Sequence, residues 1–254
     1  MEFYQNEEFV RNFINLIKEC NQIVLKIYNT DFTVINKSDD SPLTLADKEC
    51  NAHICKYLKK FTNTTIISEE IKNESYQTRK DSQWCWLVDP IDGTKEFVKK
   101  NGQFTVNIGL CRHGVPVFGI VSIPVTGEIY YGIEGIGSFK IENDITNRLT
   151  VTSEKPSDKI KIIASASHMN QETRDYINQF SNPELITVGS SIKLLWIAEG
   201  KAHLYPRIAP TSEWDTCAAH AVVKYAGGQV LNFETNEELI YNKEDLLNPF
   251  FIVK

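Results

Sequence analysis

The segment Trp84–Thr94 constrains the fold of this chain more than any other, because a buried strand meets a sharp turn there. Residues 84–88 are aromatic or otherwise apolar, as in a strand inside a sheet. Pro90 has no N–H to give to a sheet ladder, so the sequence predicts that the chain leaves the sheet at Asp89. Gly93 permits a positive φ or a close ligand approach, and Thr94 can cap a following helix.

This turn leaves several oxygen atoms free to converge. The carboxylates of Asp89 and Asp92 and the carbonyl of Ile91 are oxygens of the kinds that Mg²⁺ prefers. The alternative is an Asx-type turn in which Asp92 and Gly93 serve only the backbone geometry. A calcium loop of the EF-hand type is excluded, because Pro90 separates the acids and Lys100 occupies the position of its glutamate.

Length and charge limit the classes of protein that fit this chain. The 254 residues can bury a core as one large domain or two lobes, and 42% hydrophobic with 24% charged residues is a globular composition. The formal charge of −6 argues against a nucleic acid polymer as a partner but leaves a mononucleotide open. No apolar run reaches the length of a membrane span, so we expect a cytoplasmic protein, and peripheral contact with the inner membrane stays open.

The six cysteines form no C-x-x-C pair, which favours reduced thiols over a disulfide framework. Cys217 and His220 lie one helical turn apart, but no second pair accompanies them to complete a zinc site.

Residues 1–146 read as an N-terminal α+β lobe that carries most of the candidate ligands. Apolar residues at helical spacing predict a first helix over residues 6–28 and a second from about Leu45 to Phe61. Short strands are predicted at Phe32–Ile35 and Thr65–Ile67, and residues 71–83 are polar and predict a loop. After the aspartate turn, alternating segments predict antiparallel strands at 104–110, 115–123 and 128–132.

Residues 147–254 read as a C-terminal α/β lobe, because strands and helices alternate there. Strands are predicted at 161–165, 185–189 and 202–205, and helices at 171–180, 191–199 and 214–226. Gly227 and Gly228 follow the last helix as a stop signal.

Acidic residues outside the turn each have an ordinary structural interpretation. Glu69-Glu70 follows a strand and, taken alone, suits an exposed surface. Asp47 and Asp215 stand where helices begin, and acids there interact favourably with the helix dipole. Strands that end at one edge of a sheet would nevertheless bring Glu69 and Asp89 together.

Taken together, these residues resemble the site of the lithium-sensitive, Mg²⁺-dependent phosphatases that include the inositol monophosphatases. That pattern is an acidic pair after a strand, then D-P-I-D-G-T, then W-D at a helix start; here it is Glu69-Glu70, Asp89–Thr94 and Trp214-Asp215. The resemblance implies the layered α-β-α-β-α sandwich of the inositol monophosphatase and fructose-1,6-bisphosphatase type.

Finer features resemble one branch of that superfamily, the CysQ-type 3′(2′),5′-bisphosphate nucleotidases. The features are segments spread over nearly the whole chain: Asp40–Asp47, Lys95–Phe97, Asn101–Ile108, Gly189–Lys193, Ala198–Ala202, Tyr205–Arg207 and Tyr241–Pro249. Residues 164–168 depart from the branch, because Ala166 stands where an arginine often precedes Ser-His.

The resemblance implies a role for each residue of the site. Glu69, Asp89 and the Ile91 carbonyl would hold one Mg²⁺, and Asp89, Asp92 and Asp215 a second; two or three ions are expected in all. Thr94, hydrogen-bonded to Asp47, would orient and help deprotonate the attacking water. Contacts to the substrate would come from the residues around the metals and from the second lobe, namely Glu69, Ile91, Asp92, Gly93, Thr94, His168, Ser190, Lys193, Arg207 and Asp215. Lys193 could instead be a solvated helix residue.

The activity implied is removal of the 3′-phosphate of adenosine 3′,5′-bisphosphate (PAP), giving AMP and phosphate in sulfur assimilation or nucleotide recycling. The 5′-phosphosulfate analogue is a further expected substrate, and lithium a further expected inhibitor. Two alternatives stay open: an inositol or broad sugar phosphatase, and an inactive nucleotide or metal sensor on the same fold. The oligomeric state is not determined by the sequence.

Overall fold

A computed structural model describes residues 2–30, 35–36, 42–43, 45–61, 64–152, 159–164 and 169–254. The first helix begins after Asn6, whose side chain accepts a hydrogen bond from the Glu8 N–H at 2.7 Å. The described helices are Glu7–Tyr28 (α1), Leu45–Leu58 (α2), Tyr76–Arg79 (α3), Thr94–Val98 (α4), Gln171–Ile177 (α5), Ile192–Ala198 (α6) and Cys217–Tyr225 (α7). Two 3₁₀ turns lie at Phe3–Gln5 and Glu213–Asp215.

The largest sheet has seven strands in the order β3-β4-β5-β6-β7-β8-β9. They are Thr64–Ser68 (β3), Trp84–Asp92 (β4), Thr105–Arg112 (β5), Val115–Ile123 (β6), Glu128–Ile133 (β7), Gly137–Glu142 (β8) and Ile145–Leu149 (β9). Strands β3 and β4 pair in parallel, and every later neighbour pairs antiparallel. Ile35–Asn36 (β1) and Pro42–Leu43 (β2) pair antiparallel outside the large sheet.

The other strands form a smaller sheet region in the second half of the chain. They are Lys161–Ala164 (β10), Glu184–Thr187 (β11), Tyr205–Arg207 (β12), Val230–Asn232 (β13) and Phe251–Val253 (β14). β10 and β11 pair in parallel, whereas β14 lies antiparallel between β12 and β13. The Ile163 N–H donates to the Leu204 carbonyl at 2.8 Å, which joins the two groups of strands.

Two apolar cores cover the two faces of the large sheet. Alternate β4 residues point to opposite faces, because strand side chains have a period of two. Trp86 and Val88 pack with α1 and α2, whereas Cys85 and Leu87 pack with α6 and α7. A third cluster joins Ile162 to Ile177 of α5. The layers are therefore α1–α2, large sheet, α6–α7, small sheets and α5.

Three glycines allow α7 to lie directly against the large sheet. Gly109, Gly119 and Gly132 are paired across β5, β6 and β7 and form a row that we call the glycine groove. A Cβ on any of them would lie within 3.0 Å of atoms of α7, including the Ala218 and Ala221 carbonyl oxygens. Only residues without a side chain fit this approach.

Several predicted elements differ from the structure. The last helix is interrupted, because Glu213–Asp215 is a 3₁₀ turn and α7 begins only at Cys217. The predicted 71–83 loop contains α3, where Arg79 is buried. β8 and β9 were not predicted; the exposed side chains of β9 give it no apolar alternation. Most of the predicted Phe32–Ile35 strand lies outside the described residues. Among described residues, no helix is long and apolar enough to span a bilayer.

We predict that Gly119→Ala lowers the free energy of unfolding by about 1–3 kcal/mol, because the added methyl group overpacks against α7. Urea denaturation measures the loss. Gly127→Asn is the control, since a Cβ there meets nothing within 4 Å and asparagine tolerates the φ of +74°. A Gly119→Ala protein as stable as the wild type would contradict the close packing.

Candidate active site

A bulge in β4 turns Asp89 and Asp92 to the same side of the sheet. Asp89 pairs with Asn107, but Asp92 pairs with Thr105, so two residues of β4 face one of β5. Paired residues share a face, and Asn107 and Thr105 are two apart on β5, which places both aspartates on one side. The prediction that the chain leaves the sheet at Asp89 is therefore wrong: the strand continues to Asp92, and the bulge accommodates Pro90 without a ladder hydrogen bond.

Asp215 reaches the same region from the 3₁₀ turn that precedes α7. The Ser212 N–H donates to Asp215 Oδ2 at 2.8 Å, and this capping contact fixes the carboxylate. Because α7 rests in the glycine groove of β5–β7, the turn lies against the ends of β4 and β5. The packing of α7 on the sheet thus brings Asp215 to the region of Asp92, although the two residues are far apart in the sequence.

Ser191 ties the second half of the chain to the two strands. Its N–H donates to Asp92 Oδ2 at 2.5 Å, and its hydroxyl contacts Asn107 Oδ1 and Thr105 Oγ1, each at 2.8 Å. Ser190, one residue earlier, has a φ of +49°. This left-handed conformation is uncommon for residues other than glycine, so local packing holds the 189–191 turn.

A cavity of about 320 Å³ opens between these segments. It brings together predicted site residues from both halves of the chain: Asp92, Gly93, Thr94, Ser190, Lys193, Arg207 and Asp215. Gly93 has a φ of +95° and caps α4, so the N–H groups of the first turn of α4 lie at the cavity wall.

The remaining predicted residues lie behind this wall or outside the described chain. Asp89 and Asp47 are each 1% exposed. The Glu69 N–H donates to the Val88 carbonyl at 3.3 Å, so Glu69 lies beside the end of β4. The Thr94 hydroxyl donates to the Ile91 carbonyl at 3.3 Å; the predicted Thr94–Asp47 hydrogen bond is not among those between described residues. His168 lies outside the described residues.

The carboxylates of the site raise one another's pKa. Burial, followed by the charges of Glu69, Asp92, Asp215 and Asp47, raises the pKa of Asp89 well above its usual range. Burial and Asp92 raise the pKa of Asp215 to about 8. Burial raises that of Asp92 to about 6, although Lys193 opposes the shift. Carboxylates placed so close together need a cation to be ionised together.

Two cations line the same cavity as Asp92 and Asp215. Lys193 is 8% exposed and its Nζ lies 5.8 Å from the centre of the Tyr205 ring, so the alternative of a solvated helix lysine is wrong. Burial lowers its pKa to about 8 against the effect of Asp92. Arg207 donates from Nη2 to the Pro210 carbonyl at 3.0 Å, whereas its buried Nε has no acceptor among the described residues. Desolvated cations of this kind suit an anionic ligand.

The carboxylate oxygens of the site suit a hard divalent cation whose remaining ligands are water and substrate phosphate. In the described ranges, no group of three or more His, Cys, Asp or Glu side chains is arranged so that it could hold a metal ion by itself. One oxygen of each of Asp89, Asp92 and Asp215 accepts a backbone N–H, which orients the carboxylate and leaves its other oxygen available. Mg²⁺ is commonly bound this way, through one or two carboxylates together with water and substrate phosphate.

Comparison with known families identifies the fold. The family model of the inositol monophosphatase family matches residues 5–249. The chain belongs to this family. The predicted layered sandwich is confirmed by solved structures of family members.

Curated relatives of this chain include bisphosphate nucleotidases. The 3′(2′),5′-bisphosphate nucleotidase CysQ of Escherichia coli strain K12 is 36% identical over 240 residues, which are 94% of this chain and 96% of that protein. The crystal structure of CysQ from Bacteroides thetaiotaomicron has 40% identity and a TM-score of 0.84 over 95% of this chain and 94% of its own. The resemblance to the CysQ branch is confirmed.

Solved structures of the same fold include one with Mg²⁺ and phosphate. It is an IMPase/NADP phosphatase complexed with Mg²⁺ and phosphate, with 18% identity and a TM-score of 0.81 over 98% of this chain and 90% of that chain.

Several residues that line the cavity were not among the predicted contacts. Glu96, Gln103 and Tyr205 lie on its wall, and Gln103 Oε1 accepts the Gly189 N–H at 2.9 Å. Ser191 belongs to the segment Gly189–Lys193, which resembles the CysQ branch. Its contacts to Asp92 and β5 could not be predicted from residue spacing, because the partners are 84 to 99 residues away.

We predict that the metal-free protein becomes less stable between pH 6.5 and 8. Folded Asp215 holds a proton that an unfolded aspartate has lost, so the free energy of unfolding falls as pH rises toward the folded pKa of about 8. One such proton costs about 1.4 kcal/mol per pH unit, or about 3–6 °C in Tm. Burial lowers the pKa of His220 to about 3, so its titration changes the free energy of unfolding only at lower pH.

Thermal unfolding in EDTA at several pH values measures this slope. Asp215→Asn should flatten it, because the amide does not titrate. A Tm that stays constant or rises with pH across the window would contradict the raised carboxylate pKa values.

Proposed function

We propose that this protein hydrolyses the 3′-phosphate of adenosine 3′,5′-bisphosphate with Mg²⁺, giving AMP and phosphate. The observation that carries the proposal is the cavity itself. Asp92, Asp215, Lys193 and Arg207 all line it, so acidic groups and cations share one cavity. A substrate with two phosphates needs both a place for reaction and a separate anion site. The names of the CysQ relatives describe that class of substrate.

Five groups would hold the Mg²⁺ ions. Glu69, Asp89 and the Ile91 carbonyl would hold the first, and Asp89, Asp92 and Asp215 the second; a third ion would complete the set with water and phosphate. When bound, the ions supply charge neutralisation for the phosphate, a more acidic water and stabilisation of the leaving oxygen. Their arrival would also offset the burial and the repulsion that together raise the pKa of the three aspartates.

Activation of the attacking water falls to Thr94 and Asp47. The Thr94 hydroxyl lines the cavity, whereas Asp47 is buried in the first turn of α2. We assign Thr94 to orient the water and Asp47 to take up its proton through a Thr94–Asp47 hydrogen bond that would form when the substrate binds. The water oxygen attacks the phosphorus, and the bond between phosphorus and the 3′ oxygen breaks. The leaving 3′ oxygen takes a proton from a second water to give AMP, Asp47 returns its proton to solvent, and the phosphoryl group leaves as inorganic phosphate.

Backbone and second-lobe groups would hold the rest of the substrate. The N–H groups of Gly93 and Thr94 face the reacting phosphate from the start of α4. Lys193 and Arg207 would bind the 5′-phosphate, with Ser190 contributing from its turn. Since Lys193 is already desolvated, its interaction with a phosphate dianion is stronger than that of a surface lysine. A contact from His168 stays a prediction.

We predict that Asp89→Asn or Asp215→Asn lowers kcat for PAP by more than about 100-fold, since changing even an outer partner of a metal costs about 10–100-fold. The metal-free Tm should equal or exceed that of the wild type, because each amide removes repulsion from the carboxylate cluster. Phosphate release and thermal unfolding measure the two effects. A variant with nearly normal Mg²⁺-dependent turnover would overturn the metal assignment.

The substrate is tested by comparing PAP, its 5′-phosphosulfate analogue, 3′-AMP and inositol 1-phosphate with one preparation. We predict that kcat/KM is highest for PAP. Lys193→Met should lower kcat/KM for PAP by about 10–100-fold, the effect of a lost charged hydrogen bond, with little effect on 3′-AMP. Lys99→Met is the matched control, because Lys99 is an exposed cation lining the same cavity.

Two results would contradict the proposal. Faster hydrolysis of inositol 1-phosphate would favour the inositol phosphatase alternative. Absence of phosphate release from every substrate would favour an inactive sensor.

A further inference from the structure

Arg79 is a buried arginine outside the cavity. Its side chain is 2% exposed, although it belongs to a short helix in the polar segment between β3 and β4. Nε donates to the Glu74 carbonyl at 3.3 Å, Nη2 to the Glu244 carbonyl at 3.2 Å and Nη1 to Asn242 Oδ1 at 2.7 Å. Burying a guanidinium is costly, and three directed hydrogen bonds to fixed partners offset that cost.

Asn242 joins Arg79 to the turn that carries Asp215. Its Nδ2 donates back to the Arg79 carbonyl at 2.9 Å, so the two residues bind reciprocally. Its backbone N–H donates to Glu213 Oε2 at 2.6 Å. Glu213 is fully buried and also contacts Lys243. We call this chain of contacts, Arg79–Asn242–Glu213, the polar bridge.

Each end of the polar bridge is close in sequence to a proposed Mg²⁺ ligand. Glu213 opens the 3₁₀ turn whose last residue is Asp215. On the other side, Arg79 holds the carbonyl of Glu74, and Asn73 binds the N–H and carbonyl of Ser68 at 2.9 and 3.1 Å. The Glu69–Glu70 turn lies between these anchors. The bridge therefore links the Glu69 segment to the Asp215 segment without passing through β4.

We propose that Arg79 is a positioning residue that fixes the placement of Glu69 relative to Asp215. Residues separated by 163 positions are joined by two hydrogen bonds of fixed direction, and the planar fork of arginine sets that direction where a lysine would not. The proposal rests on the proposed function for its choice of metal. A shift of one segment changes the fit of the shared carboxylates to Mg²⁺.

The test compares Mg²⁺ binding by Arg79→Met, Asn242→Gly and the double variant, using isothermal calorimetry and thermal unfolding. Asn242→Gly removes the side chain while suiting the positive φ of 62°, so it preserves the backbone if Arg79→Met fails to fold. Lys140→Met is the matched control. Lys140 is also a buried cation, bound to Glu128 and Glu199 away from the carboxylates of the cavity.

We expect each single variant to raise the Kd for Mg²⁺ by about 10–100-fold, as loss of an outer-shell partner does. The double variant should bind Mg²⁺ no more weakly than the single variant with the higher Kd, because both changes break the same polar bridge. Lys140→Met should lower Tm without changing the Kd.

A Kd within twofold of the wild type in the folded Arg79 or Asn242 variants would overturn the proposal, even with a lower Tm. If the wild type binds Mg²⁺ but does not hydrolyse PAP, the proposed function fails while the Kd comparison still decides the role of Arg79.

Discussion

Close packing of α7 against the glycine groove is the constraint on which the rest of the structure depends. At Gly109, Gly119 and Gly132 the helix backbone approaches the sheet nearer than any side chain would allow. This contact fixes the start of α7, and with it the 3₁₀ turn that holds Asp215 against the ends of β4 and β5. Without it, Asp215 would have no fixed position relative to Asp89 and Asp92.

The site then combines three local devices on that frame. The bulge in β4 turns Asp89 and Asp92 to one side, the left-handed turn at Ser190 brings Ser191 onto Asp92, and the 3₁₀ turn presents Asp215. Each device orients a carboxylate with a backbone N–H. The result is an acidic cluster in which burial, together with repulsion between the carboxylates, raises the pKa values of its members and favours a bound cation. Lys193 and Arg207 give the same cavity two cations that suit an anion.

The residues of the candidate site could be predicted from the sequence better than their backbone geometry and contacts. Short motifs such as Asp89–Thr94 and Trp214-Asp215 carry their own turn residues, and the family resemblance and layered fold are confirmed. The bulge at Pro90 was missed, because a proline marks a break without saying whether the strand resumes. Arg79 and Ser191 were missed as contacts, because their long-range partners lie 84 to 165 residues away and leave no periodic signal. β9 was missed because its side chains are largely exposed.

The central claim is that acids from β4 and from the turn before α7 hold the same metal. Anomalous scattering from crystals grown with Mn²⁺ and AMP tests it most directly, because the ion is located without reference to activity. The account predicts anomalous density shared by Asp89, Asp92 and Asp215, with the 5′-phosphate of AMP at Lys193 and Arg207. Ions bound elsewhere, or held by β4 alone with Asp215 outside their coordination, would contradict it.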